Sequence, residues 1–71
     1  MKVMPQGHVA FYSTTKGYGF IRPSDGGDDL FFHITRVLPL AAADEPEVDQ
    51  RVEYEIGERN GRPTAVDVRY I

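Results

Sequence analysis

The chain has 71 residues, 41% of them hydrophobic and 27% charged, which is typical of one small globular domain over residues 1–71 rather than of a disordered segment. It has no cysteine, which excludes disulfides and thiolate zinc sites and fits a reducing cytoplasm. It also has no apolar run long enough for a signal peptide or a membrane span. The net charge of −3 argues against nucleic-acid binding if taken as a total, but residues 1–22 carry three bases and no acid, and residues 44–58 seven acids and one base.

Three strands are predicted in the first half of the chain. Residues 7–13 are rich in valine and aromatic side chains, and residues 18–22 follow a turn-prone segment and stop at Pro23. A glycine-rich turn at residues 24–28 then leads to a third strand at residues 30–34, which is almost wholly apolar.

A long connection separates these strands from the last two. Residues 35–50 contain two prolines and most of an acidic cluster, so we expect a loop with one helical turn at residues 35–38. Loops of this length in small domains tend to be functional.

The last two strands are predicted from an alternating pattern and a turn signal. The fourth strand alternates, and its expected inward side chains are Val52, Tyr54 and Ile56. Asn60-Gly61 then predicts a two-residue hairpin turn, which needs positive φ at both positions. The fifth strand covers residues 64–70, with Val66 and Val68 expected to face inwards. Five antiparallel strands in so short a chain favour a closed barrel, because closure removes exposed strand edges.

Strand alternation places an unusual set of rings outside this barrel. Side chains alternate between the two faces of a strand, and the aliphatic residues with one phenylalanine are the natural core: Ile21, Leu30, Ile34 and Phe32. The opposite faces carry aromatic and basic side chains: Lys16, Tyr18, Phe20, Arg22, Phe31 and His33. Four exposed rings are a poor surface unless something stacks on them, and unpaired bases suit this role because every base has a π-face. The two cations at the ends of the face are predicted to hold phosphates.

These segments resemble the bacterial cold-shock proteins and related cold-shock domains over almost the whole chain. Residues 16–21 are similar to the first RNA-binding motif of that family, residues 30–34 to the second, and residues 7–13 to its first strand. The resemblance implies an oligonucleotide-binding (OB) fold barrel that binds single-stranded RNA or DNA with little sequence preference and acts as an RNA chaperone. The binding residues that it implies are Lys16, Tyr18, Phe20, Phe31, His33, Phe11, Tyr12 and Asp29.

Some positions depart from the family pattern. Phe11 and Tyr12 cannot both face outwards from a regular strand, so a binding role for both requires a bulge or strong coiling of the strand. Arg62 lies one place from a basic position in the family's last hairpin. Ala10, Ile34 and residues 41–43 replace a lysine and two aromatic residues that are usual in the family, and we therefore expect weaker binding than in a typical member.

Other kinds of site have little support in the sequence. Residues 25–29 lack the length and closing glutamate of an EF-hand calcium loop, and the two histidines do not suggest a metal site. No nucleophile and base set is recognisable, so neither an enzyme nor a cofactor is expected. The alternative function is a small barrel that binds a protein through the same aromatic patch. A monomer is expected, with a domain-swapped dimer through residues 35–50 left open.

Overall fold

Five strands and one short helix make up the fold of the protein, for which a computed structural model describes residues 4–38 and 45–71. The helix is a 3₁₀ helix at Ile34–Arg36. The strands are β1 (Gln6–Ser13), β2 (Tyr18–Pro23), β3 (Leu30–His33), β4 (Arg51–Arg59) and β5 (Arg62–Tyr70). The helical turn predicted after the third strand is confirmed and begins one residue earlier than expected. The alanines at residues 41–43 lie outside the described residues.

The strands close into a barrel in the order β1-β2-β3-β5-β4, which confirms the predicted five-stranded barrel. Four of the five ladders are antiparallel, as expected. The fifth, between β3 and β5, is parallel and pairs Phe31 with Thr64. A ring with an odd number of strands cannot alternate direction all the way round, so closure itself requires one parallel pair.

Among the described residues, nine hydrophobic side chains are buried in the barrel interior. They come from all five strands and from the segment after the helix: Val9, Ile21, Leu30, Phe32, Val37, Val52, Tyr54, Ala65 and Val68. The predicted core positions on β2 and β3 are confirmed, except that Ile34 belongs to the 3₁₀ helix and packs against the core while only partly buried.

Two inward predictions on the last hairpin were wrong. Ile56 is 59% exposed, although its partner Ala65 on β5 is buried. The ladder of β1 with β4 covers only residues 51–53, so Ile56 lies beyond the part of β4 that β1 pairs with. Val66 is only partly buried because β5 carries a bulge. The register shifts between Glu53 and Glu55 of β4, where β5 has an extra residue between Val66 and Arg69. This residue reverses the alternation, so Ala65 and Val68 are buried and Val66 is not. The turn itself is confirmed, with φ of 52° at Asn60 and 77° at Gly61.

Candidate nucleic-acid interface

Four aromatic rings lie together on the outer surface of three neighbouring strands. We call Phe11, Tyr18, Phe20 and Phe31 the aromatic platform. Phe11 pairs with Phe20 across β1 and β2, and Phe20 pairs with Phe31 across β2 and β3. Tyr18 and Phe31 are stacked at 5.4 Å between ring centroids, and Phe20 meets Phe31 edge-on at 6.0 Å. The rings contact one another as well as solvent, so the outer surface of β1, β2 and β3 is a continuous aromatic patch.

A bulge in β1 puts Phe11 on this patch. Val9 pairs with Ile21 but Phe11 pairs with Phe20, so β1 has one extra residue, Ala10, at this point. The extra residue reverses the alternation: Val9 is fully buried, and Phe11 is 47% exposed and lies 6.3 Å from the rings of its β2 neighbours. A bulge is therefore present in β1, but it lies before Phe11 and brings only that ring, and not Tyr12, to the outer surface.

The same bulge turns Tyr12 the other way. Its ring packs against the core and stacks on Phe32 at 6.2 Å with an interplanar angle of 22°. The structure therefore does not bring Tyr12 together with the platform. Its hydroxyl is buried and has no hydrogen-bond partner among the described residues. Burial, with a smaller effect of the nearby Glu45 carboxylate, raises the pKa of Tyr12 above its usual value.

Two glycines in the first motif allow this close arrangement. A β-carbon on Gly19 would collide with the backbone carbonyl of Phe11 and lie 3.0 Å from the ring of Phe32. Only glycine lets β1 and β2 approach this closely at the bulge. Gly17 has a φ of 73°, a left-handed conformation that glycine adopts without strain, and it sets the direction in which the chain enters β2 at Tyr18.

His33 extends the patch beyond Tyr18, with which it is paired across β2 and β3. Its Nδ1 accepts a hydrogen bond from the backbone N–H of Thr35 at 3.2 Å and lies 3.0 Å from the hydroxyl of the same residue. With Nδ1 occupied as an acceptor, the neutral ring carries its proton on Nε2. That N–H is a donor next to the rings, suited to a carbonyl or phosphate oxygen.

The predicted cations are arranged differently from the expectation. Lys16 lies in the turn before β2 and not in the strand, so strand alternation does not fix its side, although the residue is exposed. Arg22 is on β2, but its guanidinium pairs with both carboxylate oxygens of Asp29 at 3.1 and 3.4 Å. This hydrogen bond and the carboxylate charge raise the pKa of Arg22. The pair brings two predicted site residues together and partly neutralises both.

A cation that the sequence analysis did not select lies on the platform. The guanidinium carbon of Arg59 is 5.6 Å from the centroid of the Phe31 ring, within the range of a cation–π contact. Arg59 ends β4 and pairs with Arg62 across the hairpin. No local sequence pattern indicates this contact, because the β4–β5 hairpin comes close to Phe31 only through the parallel pairing of β3 with β5.

The described residues contain neither a set of side chains suited to bind a metal ion nor a membrane-spanning helix. Residues 4–38 and 45–71 contain no group of three histidine, cysteine or acidic side chains placed to hold a metal ion. Within the same ranges, no helix is long and apolar enough to cross a membrane.

Comparisons with known proteins agree with this architecture. The family profile described as 'Cold-shock' DNA-binding domain matches residues 5–71. "Probable cold shock protein A" of Mycolicibacterium smegmatis is 41% identical over 68 residues, which are 96% of this chain and 100% of that protein. The protein of the same name in Mycobacterium tuberculosis is 42% identical over 93% of this chain and 97% of its own length. A solved structure described as drosophila Unr CSD456 superposes with a TM-score of 0.78 at 27% identity, and the match covers 99% of this chain and 27% of that longer one. The chain therefore belongs to the cold-shock domain family.

Proposed function

We propose that this protein binds single-stranded RNA and DNA by stacking unpaired bases on the aromatic platform, and that it acts in the cytoplasm as an RNA chaperone with little overall sequence preference. The observation that supports the proposal most directly is the platform itself, four mutually contacting rings on the outer face of β1, β2 and β3. The family relationship supports the same class of ligand.

Stacking explains why rings lie on an outer surface at all. Contiguous exposed apolar patches are costly in water and usually mark a binding site. A base that stacks on an aromatic side chain contributes about 1–3 kcal/mol, and the contribution depends little on which base it is. Such a platform binds strands of different sequence and excludes duplexes, whose base faces are already covered.

Chaperone activity follows from the same preference by mass action. A protein that binds only the unpaired form of an RNA shifts the folding equilibrium of a hairpin by its difference in affinity for the two forms. The shift needs no nucleotide hydrolysis. Several weak stacking contacts also allow the protein to dissociate quickly, which lets the RNA refold.

The test is a titration with a fluorescently labelled heptathymidine, heptauridine or the matching duplex over a series of salt concentrations. We expect binding to both single strands and at least tenfold weaker binding to the duplex. Binding should weaken only gradually with salt because the protein makes few phosphate contacts. Absence of single-strand binding at low salt, or equal affinity for the duplex, would overturn the proposal and leave the protein-binding alternative as the better one.

A further inference from the structure

A groove opens beside the aromatic platform, between the end of β3 with its 3₁₀ helix and the β4–β5 hairpin. Its volume is about 260 Å³. We call it the hairpin groove. It is lined by Phe31 of β3, Arg36 of the 3₁₀ helix, Glu58 and Arg59 of β4, and residues 64–66 of β5, among others. One wall is therefore a platform ring, so a strand that lies on the platform passes the mouth of this groove.

The groove and its rim carry more positive than negative charge, in contrast to the chain as a whole. Arg36 and Arg59 line it, and Glu58 is the one acid among the described residues that line it. Arg62 lies directly opposite Arg59 in the hairpin register. Like charges directly opposite each other on paired strands destabilise a sheet, and a bound anion between or beside them relieves that repulsion. This concentration of arginine in a protein of net charge −3 points to an anionic ligand.

Arg59 is placed to contact the edge of a base. Its guanidinium lies against Phe31, whose ring also stacks on Tyr18. A base that extends the stack at Phe31 then has its edge near the guanidinium. Arginine presents its N–H donors as a planar fork, which binds two neighbouring acceptors at once, whereas lysine is a point charge.

We propose that the hairpin groove holds one nucleotide of the bound strand, with Arg59 binding the edge of its base and Arg36 its phosphate. This inference rests on the proposed single-strand binding. It adds one position in the bound strand at which the protein distinguishes between bases. A fork of two donors matches guanine, whose O6 and N7 are neighbouring acceptors, and also matches cytosine through N3 and O2. Adenine offers a donor beside its N7 acceptor, and in thymine and uracil an N–H separates the two acceptors. The nucleotide in the groove is therefore guanosine or cytidine.

The experiment compares heptathymidine with its single-substitution variants, in which one thymine at a time is replaced by guanine, cytosine or adenine. A bidentate arginine contact discriminates between bases by about five- to 150-fold. We expect guanine or cytosine at one position to tighten binding of the unmodified protein by about tenfold, and adenine at that position to give no such gain.

Three variants separate base recognition from charge. Arg59→Lys keeps the charge but not the fork, so it should lose the guanine or cytosine gain while keeping the salt dependence. Arg36→Gln should keep the gain and make the salt slope shallower by about 0.7, the value for one lost phosphate contact on a single strand. Arg69→Gln is the matched control, because Arg69 is exposed on β5, pairs with Glu53 and does not line the groove; it should change neither property.

The possible failures are distinguishable. If the unmodified protein binds no oligonucleotide, the proposed function fails and the groove assignment fails with it. If it binds heptathymidine but gains nothing from guanine or cytosine at any position, or if Arg59→Lys retains the gain, the groove assignment alone is overturned. An Arg36→Gln salt slope equal to that of Arg69→Gln overturns the phosphate contact.

Discussion

Truncation of Phe31 tests the stacking mechanism most directly. This ring contacts Tyr18 at 5.4 Å, Phe20 at 6.0 Å and Arg59 at 5.6 Å, so Phe31→Ala removes one stacking surface and loosens its neighbours. One lost base stack is worth about 1–3 kcal/mol, or roughly five- to 150-fold in affinity. We expect a loss in the upper part of this range, about 30-fold or more.

The folded state should survive this change. Phe31 is only partly buried, so the cost should fall below the roughly 3–5 kcal/mol of a core Phe→Ala substitution, at about 2 kcal/mol. A chain of 71 residues has a total stability of roughly 4–11 kcal/mol. Phe31→Leu offers a second variant, because leucine restores much of the apolar volume but has no π-face.

The assay is fluorescence anisotropy of labelled heptathymidine, with circular dichroism to verify folding at the same temperature. Ile56→Ala is the control, since Ile56 is an apolar side chain of β4 that is 59% exposed and lies outside the platform. Affinities of Phe31→Ala and Phe31→Leu within twofold of Ile56→Ala would refute stacking on this ring.

Three further predictions follow from the contacts around the platform. Gly19→Ala should destabilise the fold by about 1–3 kcal/mol, since overpacking forces β1 and β2 apart. Urea unfolding measures the loss of stability, and Gly27→Ala is the control because its added β-carbon meets no atom nearer than 3.5 Å. Asp29→Asn should release Arg22 and so tighten oligonucleotide binding and steepen the salt slope by about 0.7; weaker binding would mean instead that Asp29 itself contacts the strand, as the family resemblance implies. The raised pKa of Tyr12 means that this residue contributes stability below pH 10 that is lost as the pH rises through its folded-state value. Tyr12→Phe should therefore make the unfolding free energy less sensitive to pH between 9 and 11, and an unchanged pH profile would contradict this assignment.

The alternation of inward and outward side chains along each strand predicted most of the barrel core. The predictions failed where a strand departs from regular alternation or from the core. Alternation identified the buried residues wherever a strand is regular and lies over the core, as on β2 and β3. It failed at Val66 because a bulge adds one residue, and at Ile56 because β4 continues past its ladder with β1. Bulges depend on how two strands pair, which no local pattern in one strand encodes. The parallel pairing of β3 with β5 likewise follows from closure of the ring and not from either strand.

The same distinction holds for the candidate site: some of its residues follow from the pattern within one strand, and others depend on how the strands pair. Tyr18, Phe20 and Phe31 could be placed outside from alternation alone, because each lies in a regular stretch. Phe11 needed the bulge, and the bulge in turn separated it from Tyr12.

Arg59 and Arg36 could not be selected from the sequence for a different reason. Each lies in a segment without an aromatic motif. They line the same groove only because the β4–β5 hairpin lies beside the 3₁₀ helix, which β5 contacts when the barrel closes.

The acidic composition is compatible with nucleic-acid binding once stacking and charge are considered separately. Two candidate phosphate contacts, from Lys16 and Arg36, give a salt slope of about −1.4 on a single strand, which is about a sevenfold loss of affinity between 50 and 200 mM salt. A protein with six to ten phosphate contacts on duplex DNA loses about 10³–10⁵ over the same range. Stacking does not depend on counterion release, so it supplies the part of the affinity that salt leaves unchanged. Since a duplex offers phosphates but few base faces, a net negative charge weakens binding to duplexes more than to single strands. The acidic residues on the rest of the surface thereby favour single-strand selection.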